Sequence, residues 1–305
     1  MKKIYSAIIP VHNSQENIIE LIDSLRKLKE KPAEIIIVDD ASTDKTNNLL
    51  NRIKDITLIT LKDNVGPSTA RNLGAKKATS DWLLFIDSDC ILPPSNIKYA
   101  FPSNIEIKEG IVGRMGVFSQ KKKGISLISD YKNMQRHFEI TNMINPPTVF
   151  CSSCFTITKQ AYEQCAGFNE NFGKNPTEDN EFYFRLTKKK LFIKYNKSFS
   201  FIHIKKMDIT TLFVDDLLRS KAIILNIFNQ LGERRNTLTK LEIIQWLLEL
   251  SSGLFILLNL ICIPFSFLLN PFLSFDKLFS SLSFFILIIS LINKKFFRYS
   301  FKIGG

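Results

Sequence analysis

Histidine and tryptophan are scarce in this chain, with three and two residues among 305. Its five cysteines are an odd number and include a single Cys-x-x-Cys, formed by Cys151 and Cys154. With no second pair and no suitably spaced histidine, this is not a zinc pattern, and both thiols are expected to be small core residues. The start, Met1-Lys2-Lys3-Ile4-Tyr5, passes into an ordinary strand rather than an apolar stretch with a small-residue cleavage site, so no secretory signal is read there. A reducing cytoplasm is the expected surrounding for the thiols. The first strand is followed by Pro10-Val11-His12-Asn13-Ser14 and not by the Gly-rich, Arg-containing loop of a nucleotidyltransferase. No stacking platform, recognition-helix motif or zinc finger accompanies the basic charge, so the charge is not read as a nucleic-acid footprint.

What the chain does have is apolar mass and positive charge. Hydrophobic residues make up 45% and charged residues 23%, enough to bury a sizeable core, and 26 phenylalanines supply most of the aromatic content. The formal net charge of +12 suits an anionic partner such as a membrane surface or a phosphorylated substrate. The lysines and arginines are scattered, and the short runs Lys121–Lys123 and Lys188–Lys190 read as solvated loops.

The first hundred residues alternate strand and helix. Ile4–Pro10, Ile35–Val38, Ile56–Leu61 and Trp82–Ile86 are short apolar runs. Between them lie a helix carrying Ile18, Leu21, Ile22, Leu25 and Leu28, one marked by Leu49, Leu50 and Ile53, and one opened by Pro67. This β-α-β-α-β-α-β order predicts an α/β fold, a mostly parallel, Rossmann-like sheet with helices on both faces. Ligands of such sheets sit beyond the carboxyl ends of the strands. Asp39 and Asp40 follow the second strand and Asp87 and Asp89 the fourth, so the order of elements alone puts four carboxylates on one edge.

The middle is mixed. Ile111–Phe118, Val149–Thr158, Leu191–Tyr195 and Phe199–Ile204 read as strands. Ser126–Ile140, Ala161–Cys165, Thr177–Leu186 and Ile209–Leu231 read as helices. The composition then changes. Leu247–Leu269 carries one charge, Glu249, over about the ~20 residues that cross a bilayer, and Asn270-Pro271 breaks it before a second, shorter run, Leu278–Ile292. Arg234, Arg235 and Lys240 flank one side, and Lys294, Lys295, Arg298 and Lys302 the other. Such flanks predict a membrane hairpin with both ends in the cytoplasm. The expected organisation is one α/β domain over 1–205, in two halves (1–100 and 101–205). An amphipathic linker over 206–240 and a hairpin with a basic tail over 241–305 follow.

Phe85-Ile86-Asp87-Ser88-Asp89 carries the strongest chemistry. Two carboxylates one residue apart at a strand end can share one hard cation, Mg²⁺ or Mn²⁺, which keeps positions open for phosphate oxygens. Such an ion neutralises a departing diphosphate.

Four stretches in order now bear on the family: Ile8–Asn13, Ile37–Asp44, Gly66–Gly74 and Phe85–Asp89. Together with Gly167-Phe168-Asn169-Glu170 and Thr177–Phe182, they resemble the signature of family-2 glycosyltransferases, membrane-associated bacterial type, whose fold is GT-A. The resemblance implies that Pro10, Val11, His12 and Asn13 line the nucleotide pocket and that Asp39 accepts hydrogen bonds from the base, uracil in most members. Asp40 and Ser88 belong to the same nucleotide-sugar set. Arg71 would face the donor's phosphates, as suits a bidentate guanidinium. Asp87 would stand near the ribose or the metal, Asp89 would ligate the metal, and His203, ending a later strand, would complete the shell as in some relatives. Glu178-Asp179 resembles the acidic pair that supplies the catalytic base. Pro176 and Thr177 read as a helix start, which puts both carboxylates in a first turn where the dipole favours the ionised form. Asp179 is the expected base and Glu178 its supporting group, with the reverse assignment open. His137 falls in a helix with no visible partner.

No Gln-x-x-Arg-Trp run follows the acidic helix, so transfer of single sugars is expected rather than processive synthesis. The resemblance implies an inverting transfer from a UDP-sugar to a lipid-linked or envelope glycan at the inner membrane, with the catalytic domain on the cytoplasmic side. The alternatives are a polyprenyl-phosphate glycosyltransferase of the dolichyl-phosphate-mannose-synthase type and a non-catalytic sugar-nucleotide-binding scaffold.

Overall fold

In the computed structural model, residues 4–120, 126–142, 145–147, 150–172, 178–212 and 214 are described. The chain divides into two units, Met1–Leu212 and Phe213–Gly305. The described residues other than Val214 all belong to the first. Its opening elements are β1 (Tyr5–Val11), α1 (Ile18–Arg26), β2 (Glu34–Asp39), α2 (Thr46–Leu50), β3 (Thr57–Thr60), α3 (Pro67–Lys77) and β4 (Trp82–Ile86). Every residue of β1 and β4 is buried, as a strand covered by helices on both faces must be. β1 pairs in parallel with β2 and β4, and β2 with β3. One side of α1 carries Ile18, Leu21, Ile22 and Leu25, spaced for a helix, and buries all four.

The expectation of parallel pairing holds for these four strands and gives way beyond them. After β5 (Cys90–Ile91), α4 (Asn104–Lys108), β6 (Ile111–Phe118) and α5 (Leu127–Asn142) come β7 (Cys154–Thr158), α6 (Lys159–Gln164), α7 (Glu178–Lys188) and β8 (Phe192–His203). The sheet order is β3-β2-β1-β4-β7-β6-β8-β5. β7 runs antiparallel to both β4 and β6, β6 pairs in parallel with β8, and β8 pairs antiparallel with β5. The sheet is therefore mixed. Two further differences from the sequence pattern are local. β7 begins at Cys154 rather than near 149, and the two strands expected over 191–204 are one strand that absorbs its polar stretch in a register shift opposite Met115–Val117.

A close approach of α3 to the sheet fixes the site's geometry. A Cβ on Gly74 would stand 2.4 Å from Ile8 Cγ2 in β1. Alanine in a helix interior normally gains roughly 1 kcal/mol over glycine. Here the sign reverses: Gly74→Ala costs about 1–3 kcal/mol through overpacking, read as a lowered melting temperature of the full chain.

Cys90, Cys154 and Cys165 are buried and Cys151 is half-buried, so the Cys-x-x-Cys pair is part of the packing, as expected. Burial pushes the Cys154 thiol well up. Lys188, Lys189 and Lys190 are exposed, while Lys121–Lys123 lie outside the described residues. Among the described residues no helix is long and apolar enough to cross a membrane. The runs 247–269 and 278–292, and most of the helix expected over 209–231, fall outside them.

Candidate active site

The parallel register sets Val11 beside Asp39 and Ile8 beside Phe85, so the carboxyl ends of β1, β2 and β4 share one edge. The loop after β1 is shaped by Asn13, whose backbone is left-handed (φ 51°), a conformation asparagine tolerates. Its Oδ1 accepts from the Thr43 N–H at 2.8 Å, and its own N–H donates to Ser42 Oγ at 2.9 Å. His12 is half of a similar clamp: its ring donates through Nδ1 to the Asp40 carbonyl at 2.8 Å, while Nε2 accepts from Asn64 at 2.9 Å. Pro10 and Val11 are buried strand residues, whereas His12 and Asn13 are exposed at the rim.

The two aspartates after β2 differ in role. Asp39 is fully buried and accepts from the Ser42 N–H at 3.1 Å and from Asn47 Nδ2 at 2.8 Å. Asp40 accepts the N–H groups of Val65 and Gly66, both at 2.8 Å, and thereby fixes the turn that launches α3. Gly66 there has φ 97°, which suits glycine, and Pro67 follows at the first helical position.

Arg71 projects from α3 into the centre of the edge and is only 3% exposed. Its Nη2 donates to Asp87 Oδ1 at 2.9 Å and its Nη1 to Glu178 Oε1 at 3.1 Å. Its Cζ lies 5.1 Å from the centre of the Phe168 ring. Burial pulls the guanidinium's pKa down, but the two carboxylates outweigh it and hold Arg71 above its ordinary value, so it stays charged. Sequence reasoning aims this arginine at phosphates. In the structure its two terminal nitrogens join β4 to the start of α7, because Glu178, 107 residues away, folds over it.

Glu178 and Asp179 stand in the first turn of α7, as expected. Glu178 is buried against Arg71, while Asp179 is half-buried and its Oδ1 accepts from the Asn180 N–H at 2.8 Å. Asn180 Oδ1 in turn accepts from the Phe150 N–H at 3.0 Å, which fastens the helix start. Glu178 is thus buried in an ion pair, and Asp179 stands half-buried at the same turn.

At the tip of β4, Ser88 Oγ meets Ser14 Oγ at 2.7 Å, tying the Asp-Ser-Asp turn to the loop after β1. Asp89 faces His203, with 3.4 Å between Oδ2 and Nε2, because Cys90 and His203 are paired across β5 and β8. Asn133 of α5 donates to the His203 carbonyl at 2.8 Å. Burial pushes the Asp89 carboxyl up, but His203 and Lys205 outweigh it and hold it below its ordinary value.

Ligands at right angles around an ion ~2.1 Å away stand about 3 Å apart, close to the 3.4 Å seen between Asp89 and His203. Asp87 is already engaged by Arg71. Among the described residues no group of three or more His, Cys, Asp or Glu side chains is placed to hold a metal. Asp89 and His203 are therefore spaced so that both could contact one divalent ion.

The sequence-read residues Asp39, Arg71, Asp87, Ser88, Asp89, Glu178, Asp179 and His203 come together around this edge, and Asp40 supports it from below. His137 has the partners its sequence context did not reveal: Phe118 O at 2.5 Å and Gln120 Nε2 at 2.9 Å, on the strand end beside its helix. Sequence reasoning missed Asn47, Asn133 and Asn72, the last of which holds Phe168. Their one visible cue was Asn72's place directly after Arg71.

The family model for glycosyl transferase family 2 matches residues 6–166, just over half of the chain. The chain belongs to that family of enzymes. Among curated proteins, it is 38% identical over 89 residues to the Escherichia coli UDP-Glc:alpha-D-GlcNAc-diphosphoundecaprenol beta-1,3-glucosyltransferase WfaP, covering 28% of this chain and 36% of WfaP. It is 33% identical over 102 residues to the Staphylococcus aureus poly(ribitol-phosphate) beta-N-acetylglucosaminyltransferase TarS, covering 32% of this chain and 18% of TarS. The chain thus spans about a third or less of the length of these relatives. Of solved structures, a mannosyltransferase from Pyrobaculum calidifontis in complex with GDP-Man and Mn²⁺ superposes with a TM-score of 0.60 at 14% identity, over 100% of this chain and 85% of that one. GalNAc-T7 with UDP, GalNAc and Mn²⁺ gives 0.52 at 14% identity, over 70% and 48%. At such identity the likeness is one of fold, and it agrees with the GT-A architecture expected for the family.

Proposed function

We propose that this family-2 enzyme moves one sugar from a UDP-linked donor to a hydroxyl of a lipid-linked or envelope glycan, with inversion at the anomeric carbon. The observation that carries the reading is the buried Arg71 held between Asp87 and Glu178: it joins the donor edge of the sheet to the helix turn that bears Asp179. In this scheme Asp39, at the end of β2, receives the uracil, while the loop Pro10–Asn13 and Ser88 border the nucleotide. Asp179 takes the proton of the acceptor hydroxyl as its oxygen bonds to the anomeric carbon. The bond from that carbon to the diphosphate breaks, and the nucleoside diphosphate leaves with the electron pair. No nucleophile on the enzyme is required. A divalent ion, when bound, would neutralise the leaving diphosphate. Asp89 and His203 would hold it, with Asp87 beside them.

The apolar runs 247–269 and 278–292 with their cationic flanks support a lipid-linked acceptor and a catalytic unit on the cytoplasmic side of an inner membrane. WfaP, whose name specifies a diphosphoundecaprenol-linked acceptor, supports the same class.

Thermal stability of the full chain, scanned over UDP- and GDP-sugars with and without Mn²⁺, tests the reading. One UDP-sugar at a hundred times its dissociation constant is expected to stabilise the fold by about 2.7 kcal/mol, and Asp89→Ala is expected to remove the Mn²⁺-dependent part. Stabilisation by no sugar nucleotide would overturn it.

A further inference from the structure

We propose that Asn72 is a positioning residue that sets the catalytic turn of α7 by gripping the backbone of Phe168. This inference rests on the proposed transferase reading and adds to it a residue that touches neither donor nor acceptor.

A carboxamide has two acceptor and two donor positions, and Asn72 fills all four from one short segment. Its Oδ1 accepts from Tyr162 Oη at 2.5 Å and from the Phe168 N–H at 2.9 Å. Its Nδ2 donates to the Phe168 carbonyl at 2.9 Å and to Glu170 Oε1 at 2.8 Å. Both backbone groups of Phe168 are therefore held by one side chain of α3, as a neighbouring strand would hold them. Burial pushes the Tyr162 phenol up, so it remains a donor at every working pH.

The gripped residue is a hub. The Phe168 ring stacks on Phe182 of α7, with 4.6 Å between centroids, and carries the Arg71 guanidinium on its other contacts. Phe182 lies one helical turn beyond Glu178, so the stack bears directly on the turn that holds Glu178 and Asp179. From the other side, Arg185 of α7 donates to the Gly167 carbonyl at 2.7 Å and to the Cys165 carbonyl. The loop itself turns through two successive left-handed residues, Ala166 (φ 56°) and Gly167 (φ 63°). A Cβ on Gly167 would lie 2.4 Å from Asn72 Oδ1, so only glycine leaves room for the carboxamide. Adjacent residues of one helix, Arg71 and Asn72, thus reach α7 by two routes: one by ion pair to Glu178, the other through Phe168.

Asn72→Asp keeps the shape but removes both donated bonds and sets a carboxylate against the Phe168 carbonyl and Glu170. It is expected to lower kcat about tenfold, since a small misplacement of a catalytic group is costly, while donor affinity stays within about twofold. Amide exchange across 178–188 is expected to rise in Asn72→Asp and, by the second route, in Gly167→Ala. Adding Glu170→Gln to Asn72→Asp replaces the facing carboxylate with a donor, and is expected to recover about threefold in kcat. A merely structural role would lower the melting temperature and leave kcat per folded enzyme unchanged. Unaltered exchange over 178–188 in both variants would overturn the proposal, as would an unchanged kcat for Asn72→Asp in an enzyme that Asp179→Asn inactivates. The exchange measurement decides the point even in a chain that transfers no sugar, a result that would sink the transferase reading separately.

Discussion

Asp179→Asn is expected to lower turnover on a sugar-hydroxyl acceptor by about 10²–10⁴-fold, the usual contribution of a positioned general base. Asparagine keeps the volume and can still accept the Asn180 N–H at the helix start, so folding and donor affinity should hold. The effect belongs to proton removal and should appear in kcat at saturating donor. Glu178→Gln is expected to act differently: it weakens the ion pair with the buried Arg71, so its loss appears in stability as well as in rate. Initial rates of both variants on one acceptor separate the two carboxylates. A phosphate acceptor needs little base catalysis, so an Asp179→Asn enzyme that kept most of its activity would assign the chain to polyprenyl-phosphate transfer. Wild-type behaviour in cells after Asp89→Ala would instead favour a binding scaffold.

Arg71→Met is expected to destabilise the fold by about 3–5 kcal/mol, the cost of stranding buried charge when one partner of a pair is removed. Methionine replaces much of the volume but pairs with neither Asp87 nor Glu178, of which Glu178 is the more deeply buried. Lysine keeps the charge yet has no fork to reach two carboxylates at once, so Arg71→Lys should fall between methionine and wild type. Because the three groups touch, their effects should not add: Arg71→Met with Glu178→Gln is expected to be less damaged than the sum of the single variants. Urea unfolding of the full chain reads all four differences. An Arg71→Met protein as stable as wild type would mean that the buried pair contributes nothing to holding α7 in place.

The first hundred residues were legible because the rules that shape them are local. Four apolar runs, a proline at the first turn of α3 and the carboxylates directly after β2 and β4 report on their own neighbourhoods. β4 and β6 fell on the expected residues, and α3 began at the expected proline. Residues 101–205 were less legible because their strands mix parallel and antiparallel pairing and their polar residues interrupt the apolar pattern. Asn196, Lys197 and Ser198 suggest a break between strands, yet the backbone carries them through as part of β8. In the site, residue types gave the chemistry but not the partners. Asp40 lies in a motif that suggests ligand contact, and the structure shows that its carboxylate holds the turn before α3. The engagement of Arg71 depends on a residue 107 positions later, which no local pattern reports.

That separation governs when the pocket can exist during synthesis. β8 lies between β6 and β5 in the sheet. A nascent chain that has reached α6 already carries every carboxylate of the donor edge, but Arg71 has only Asp87 to hold, and Asp89 waits for His203. Both contacts need α7 or β8, which are made after every carboxylate of that edge. Among the described elements β8 is the last strand, so the pairing that brings His203 to Asp89 forms only once the chain has been made through residue 203.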